Sequence, residues 1–80
     1  MIGFSMPGSL GSARYQEMTE RLIAARTDAG MTQAQVADRL GKPQSFVAKY
    51  EGGERRLDVV EFVDICKVLG IAPSHVVKDF

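Results

Sequence analysis

Between Thr32 and Gly53 the chain reads TQAQVADRLGKPQSFVAKYEGG and gathers side chains suited to directed hydrogen bonding. In a helix from Pro43 to Glu51 the buried face would be Val47 and Tyr50, which leaves Gln44, Ser45, Ala48 and Lys49 outward. Glutamine can pair bidentately with adenine, lysine can donate to guanine O6/N7, and serine can serve either base. A helix presenting such groups near its N-terminus has what a reader of the DNA major groove requires. The same pattern also fits a solvated amphipathic helix, whose outer face is polar by default.

Reaction chemistry finds no support in these residues. His75 is the sole histidine and falls in the first turn of the last helix, a surface position. No cluster of Cys, His or carboxylates has metal-ligand spacing. Ser45 has no plausible base, and no strand pattern precedes a glycine-rich phosphate loop. The chain therefore reads as a non-enzyme with neither cofactor nor metal. Cys66 is the only cysteine, which excludes an intramolecular disulfide, fits a reducing compartment and reads as a small core residue. No apolar run approaches the ~20 residues of a membrane span. The N-terminus lacks a basic region followed by a continuous apolar one, so no signal peptide is expected. A soluble, cytoplasmic protein without a membrane partner follows as the expectation.

The elements that position the polar stretch are marked by local signals. Thr32 can cap the preceding helix of the pair, with Gln35 completing a capping box, and Val36, Ala37 and Leu40 share its inner face. Gly41 stands where a left-handed residue ends a helix, Pro43 where a new one starts, and Gly53 gives the next stop. Two helices this short cannot bury a core alone. The first helix of the chain, about Ala13 to Ala29, supplies Tyr15, Met18, Leu22, Ala25 and Ala29 at helical spacing with Ile23 beside them. Its outer side carries Glu17 and Arg21, four apart in the favourable order. Gly30 ends it, and Met31 plugs the core.

After Gly53, Asp58 with Glu61 forms a second capping box. The fourth helix, Val59 to Leu69, places Val59, Phe62, Val63, Cys66 and Leu69 on one face, with Val60 and Ile65 off it as a second contact surface. Gly70 ends it, and Pro73 opens a fifth turn whose start after Ala72 lacks a capping side chain. Residues 1–13, MIGFSMPGSLGSA, are rich in Gly and Ser and uncharged, and read as a mobile arm. Its Ile2, Phe4 and Met6 are either uncommitted or dock on a neighbouring subunit or on the body of the domain.

Eighty residues make one domain, here 14–80 after the arm. Lys+Arg equals Asp+Glu, and the zero net charge counts mildly against a nucleic-acid partner. The distribution is uneven. Arg39, Lys42, Lys49, Arg55 and Arg56 outnumber Asp38, Glu51 and Glu54, whereas acids prevail from Leu57 onward.

From about Leu22 to Val77 the chain resembles the helix-turn-helix domains of phage repressors, Cro proteins and xenobiotic-response-element (XRE) regulators. The residues that carry the resemblance are Leu22, Ile23, Arg26, Gly30, Met31-Thr32-Gln33, Val36-Ala37, Leu40-Gly41, Val47, Tyr50-Glu51, Gly53, Leu69-Gly70-Ile71 and Pro73. They cover about 56 of the 80 residues, and the spaced set is specific where no single tetrapeptide is. The resemblance implies an all-α fold, a compact five-helix bundle of the lambda-repressor-like type whose third helix enters the major groove. It assigns base reading to Gln44, Ser45, Phe46 and Lys49, and phosphate contacts to Gln33, Lys42, Arg55 and Arg56. Phe46 departs from the small or hydroxylic residue of many relatives; exposed, it would touch a thymine methyl, pack on the loop or join a protein interface. Pro43 replaces a frequent capping Ser or Thr, and Arg56 has Asp58 as an alternative partner. Arg26 is expected to be a structural ion-pair partner, with Glu51 the candidate, rather than a DNA contact.

A module this small reads few base pairs, so the resemblance implies a homodimer on a palindromic operator in double-stranded DNA, with half-sites ~34 Å apart. Ile65, Val76, Val77 and Phe80 are the candidate dimer surface, or else ordinary core. The function expected is a sequence-specific transcriptional regulator of repressor type. The alternative is an antitoxin-type or protein-interaction module that keeps the fold, binds DNA weakly and takes a toxin or regulator as its partner.

Overall fold

The computed structural model describes residues 12–80, which form α1 (Ala13–Asp28), α2 (Gln33–Leu40), α3 (Gln44–Glu51), α4 (Val59–Leu69) and α5 (Pro73–Val76), with no strand among them. The arm expected over 1–13 lies, through Gly11, outside the described residues. Ser12 instead caps α1, its Oγ accepting the Tyr15 N–H at 3.2 Å, and Ala13 is already helical.

The helix ends follow the local chemistry. At α2 the Gln35 N–H donates to Thr32 Oγ1 at 3.1 Å, and the Thr32 N–H donates to Gln35 Oε1 at 2.9 Å. At α4 the reciprocal pair is Glu61 N–H to Asp58 Oδ1, 2.7 Å, and Asp58 N–H to Glu61 Oε1, 3.0 Å. These two capping boxes each satisfy donors that a helix start leaves without an internal partner. Gly41 adopts φ 69°, so the Gly41 N–H reaches the Asp38 carbonyl and the Lys42 N–H the Ala37 carbonyl. That left-handed ending turns the chain sharply and lets α3 start three residues later, at Gln44.

The core is Leu22 from α1, Val36 and Ala37 from α2, Phe46, Val47 and Tyr50 from α3, Ile65, Cys66 and Leu69 from α4, and Val76 from α5. Met31 and Ile71, each directly after a helix-ending glycine, pack against it. Cys66 is fully buried and free, and burial pushes its thiol pKa up. Thr19 is buried too, its hydroxyl satisfied by the Tyr15 carbonyl one turn back at 3.1 Å. The C-terminal segment is held from outside. Arg21 donates to the Val76 carbonyl at 2.7 Å and pairs with Glu17, while Arg14 donates to the Phe80 carbonyl and both guanidinium groups face the Phe80 ring.

Three burial expectations are corrected. Val59 is 77% exposed and Ile65 fully buried, so the inward stripe of α4 is Phe62, Ile65, Cys66 and Leu69. The cause is that α4 packs against α1, α2 and α5 together, which rotates its buried arc toward Ile65. Ile65 and Val76 are therefore core residues and offer no dimer surface; of that set only half-buried Val77 and exposed Phe80 reach solvent. Ala29, at the end of α1, is exposed rather than core-facing.

Candidate nucleic-acid interface

α2 and α3 lie together because the short turn at Gly41–Pro43 folds the two helices closely onto each other. On α3, Phe46, Val47 and Tyr50 point inward, and Gln44, Ser45, Ala48 and Lys49 are exposed. Pro43 offers no capping side chain, so the first turn of α3 carries backbone donors without a side-chain acceptor.

Gln33 opens α2 and its amide is fixed from behind. Its Nε2 donates to Glu51 Oε1 at 2.8 Å. The same carboxylate takes Arg26 side-on, Nε to Oε2 at 2.7 Å and Nη2 to Oε1 at 3.1 Å, and Arg26 Nη1 donates to the Met31 carbonyl at 2.9 Å. The ion pair expected between Arg26 and Glu51 is thus present. Both side chains are largely buried, at 15% and 6% exposure, and the carboxylate raises the Arg26 pKa above its usual value. One network therefore ties the end of α1, the start of α2 and the end of α3. One Gln33 amide N–H is thus engaged by Glu51, which fixes the orientation of the side chain at the start of α2.

Phe46 stands differently from its expected role. It is 9% exposed, meets Tyr50 edge-on with centroids 5.7 Å apart, and has Lys42 Nζ and the Arg55 guanidinium over its ring at 5.4 and 4.7 Å. It is a core aromatic under a cationic cover, the packed alternative of those expected for it rather than the exposed one. The positions 46, 47 and 50 form one continuous arc of a helix, and the apolar choice at 46 widens the buried side.

Arg55 is likewise committed within the molecule. Its two terminal nitrogens grip Glu61 at 2.9 Å each, and Nη1 also donates to the Arg56 carbonyl at 2.9 Å. The fork locks the α3–α4 loop onto the start of α4, so Arg55, expected at a phosphate, is engaged by Glu61 within the molecule. Glu61 responds: the Arg55 fork first, then the Asp58 N–H, pull its carboxyl down to about 2. Arg56 lies over the Tyr15 ring at 4.6 Å, while Tyr15 Oη accepts the Leu57 N–H at 2.8 Å. Gln44, Ser45, Lys42 and Lys49 are exposed and close in sequence to this loop.

Elsewhere the surface is unremarkable for chemistry. A depression of 380 Å³ runs between α1 and the C-terminal segment past Arg21, Asp28, His75 and Asp79. Among the described residues no group of His, Cys, Asp or Glu is arranged to hold a metal, and no helix is long and apolar enough to cross a membrane.

The helix-turn-helix family profile matches residues 22–76, which spans α2 to α5 and the C-terminal part of α1. Among solved structures, an XRE-family like protein from Pseudomonas syringae pv. tomato str. DC3000 is similar at 52% identity, covering 82% of this chain and 80% of that one with a TM-score of 0.80. No match was found among curated proteins.

Proposed function

The chain belongs to the XRE-type helix-turn-helix family of DNA-binding regulators, which are not enzymes, and from that premise we propose that it is a repressor-like, sequence-specific regulator in which α3 reads the major groove. The observation that carries this reading is the exposed Gln44, Ser45 and Lys49 on α3 beside a Gln33 amide held in place by Glu51. In this reading Gln44, Ser45 and Lys49 contact base edges, Gln33 and Lys42 contact phosphates, and Arg56 adds positive potential at the flank. Residues 14–80 act as the DNA-binding unit, in the cytoplasm. Two copies bind a palindromic operator with half-sites ~34 Å apart, because one copy reads too few base pairs.

Selection of duplexes from a random library at near-physiological salt tests the proposal. A recovered palindrome with half-sites one turn apart supports it. Absence of any enriched motif, with binding lost at modest salt, overturns it and favours a protein-interaction role with a toxin or regulator as partner. Exposed Val59 and Val60 at the start of α4 give that second reading its physical basis.

A further inference from the structure

Phe46, in the first turn of α3, faces two ways. Its ring closes the core against Tyr50, edge-on with centroids 5.7 Å apart, and it carries the Arg55 guanidinium at 4.7 Å and the Lys42 ammonium at 5.4 Å from its own centroid. A cation within about 6 Å of an aromatic centroid is attracted by the ring. Both cations stand inside that range.

The two differ in what is left to them. Arg55 is gripped by Glu61 at 2.9 Å through each terminal nitrogen, so it pins the ring and is itself pinned. Lys42 is exposed and stands two residues before α3 begins. Glu61 attracts the same ammonium, as the weakest of the pulls that lower its carboxyl pKa. Lysine carries its charge on a flexible four-carbon stem, and ordering that stem for a contact costs rotamer entropy. Over a ring fixed by Tyr50 and Arg55, Lys42 has given up part of that freedom before any partner arrives. An ammonium has three N–H donors, and those turned away from the ring remain available. A small or hydroxylic side chain at position 46 would offer no such face.

We propose that Phe46 is a positioning residue for Lys42: its ring holds the ammonium beside the start of α3, ready for a DNA phosphate, while Phe46 itself touches no DNA. This role rests on the reading that Lys42 contacts a phosphate. It acts on affinity for any duplex and leaves sequence choice alone, because phosphate contacts carry no sequence information directly.

Phe46→Leu tests it, since leucine keeps an apolar side chain in the core and removes the aromatic face; Phe46→Met gives the same comparison if the leucine variant does not fold. In nuclear magnetic resonance of the full chain without DNA, the ring current is expected to shift the Lys42 ε-methylene protons upfield, and Phe46→Leu to return them to their ordinary position. An ordinary position in the wild type overturns the proposal. On DNA, affinity for a random-sequence duplex and for the selected operator should fall alike in Phe46→Leu, by roughly two- to fivefold, with the selected motif unchanged. In a Lys42→Ala background the same substitution should change affinity little. Equal losses with and without Lys42 overturn the proposal, because a purely structural Phe46 would give them. If the wild type binds neither duplex, the DNA-binding reading fails and this role with it, while the upfield shift still reports whether the ring holds Lys42.

Discussion

Arg26 of α1 and Glu51 at the end of α3 are joined by two hydrogen bonds, of 2.7 and 3.1 Å, across 25 residues of sequence. Water is nearly excluded from both groups, so the pair matters more for what its loss would expose than for its net attraction. Removal of one partner strands the other charge. Glu51→Gln is therefore expected to cost ~3–5 kcal/mol, a large part of the total for a domain this size. The urea midpoint measures it. Arg26→Met combined with Glu51→Leu should recover much of the loss, and a midpoint unchanged by the single substitution would show that the pair is not buried in solution.

Tyr50 leads to an expectation of opposite sign. Its Oη is buried without a hydrogen-bond partner among the described residues, and burial raises its pKa. Tyr50→Phe keeps the ring, including its edge contact with Phe46, and removes the stranded hydroxyl. A gain of about 1 kcal/mol is expected, or a Tm higher by roughly 4–8 °C. A lower Tm would mean that the hydroxyl is satisfied after all.

The Arg55–Glu61 clamp should appear in the acid limb of the stability curve. The Glu61 carboxyl sits at about 2 in the folded chain, against an ordinary 4.5. Folding thus favours the charged form, and the stabilisation is complete above the ordinary range and lost as pH falls from about 5 toward 2. Glu61→Gln should flatten that limb and lower stability near neutral pH, since it removes the charge that Arg55 grips while Gln can still accept the Asp58 N–H. Chemical unfolding repeated across that pH range decides the matter.

On DNA, side chains on the same short helix should separate by function. Gln44→Ala and Lys49→Ala are expected to relax particular operator positions, each by ~1–3 kcal/mol, without changing the fold. Lys42→Ala should weaken all sequences alike and reduce the salt slope by ~0.9. Phe46→Ala, by contrast, should lower stability by ~3 kcal/mol or more, because it opens a cavity under Lys42 and Arg55. Loss of specificity at an unchanged Tm in this last variant would return Phe46 to the reading face.

Much of the fold was legible because its signals are local. Thr32 with Gln35, Asp58 with Glu61, and Gly41 before Pro43 act over three residues or fewer, so the sequence places these caps and stops directly. The outward face of α3 was legible for the same reason, since Val47 and Tyr50 fix which side is buried. Arg26–Glu51 could be anticipated because both residues occupy positions of the family pattern. Phe46 was not legible: a helical wheel leaves a residue at the rim of the buried arc undecided, and Lys42, Tyr50 and Arg55 settle it only once the turn and the following loop close around it.

By itself, then, the sequence determined five helices, their ends and the polar character of the surface that α3 presents, because helix periodicity and capping depend on neighbours within a turn or two. Tertiary structure alone decided which apolar residues are core and which polar ones are already spent. Ile65 and Val76 became interior when α4 and α5 met, Arg55 was taken by Glu61, and Gln33 gave one N–H to Glu51 across 18 residues. Each of those outcomes depends on how the helices pack against one another, which residues far apart in sequence settle together.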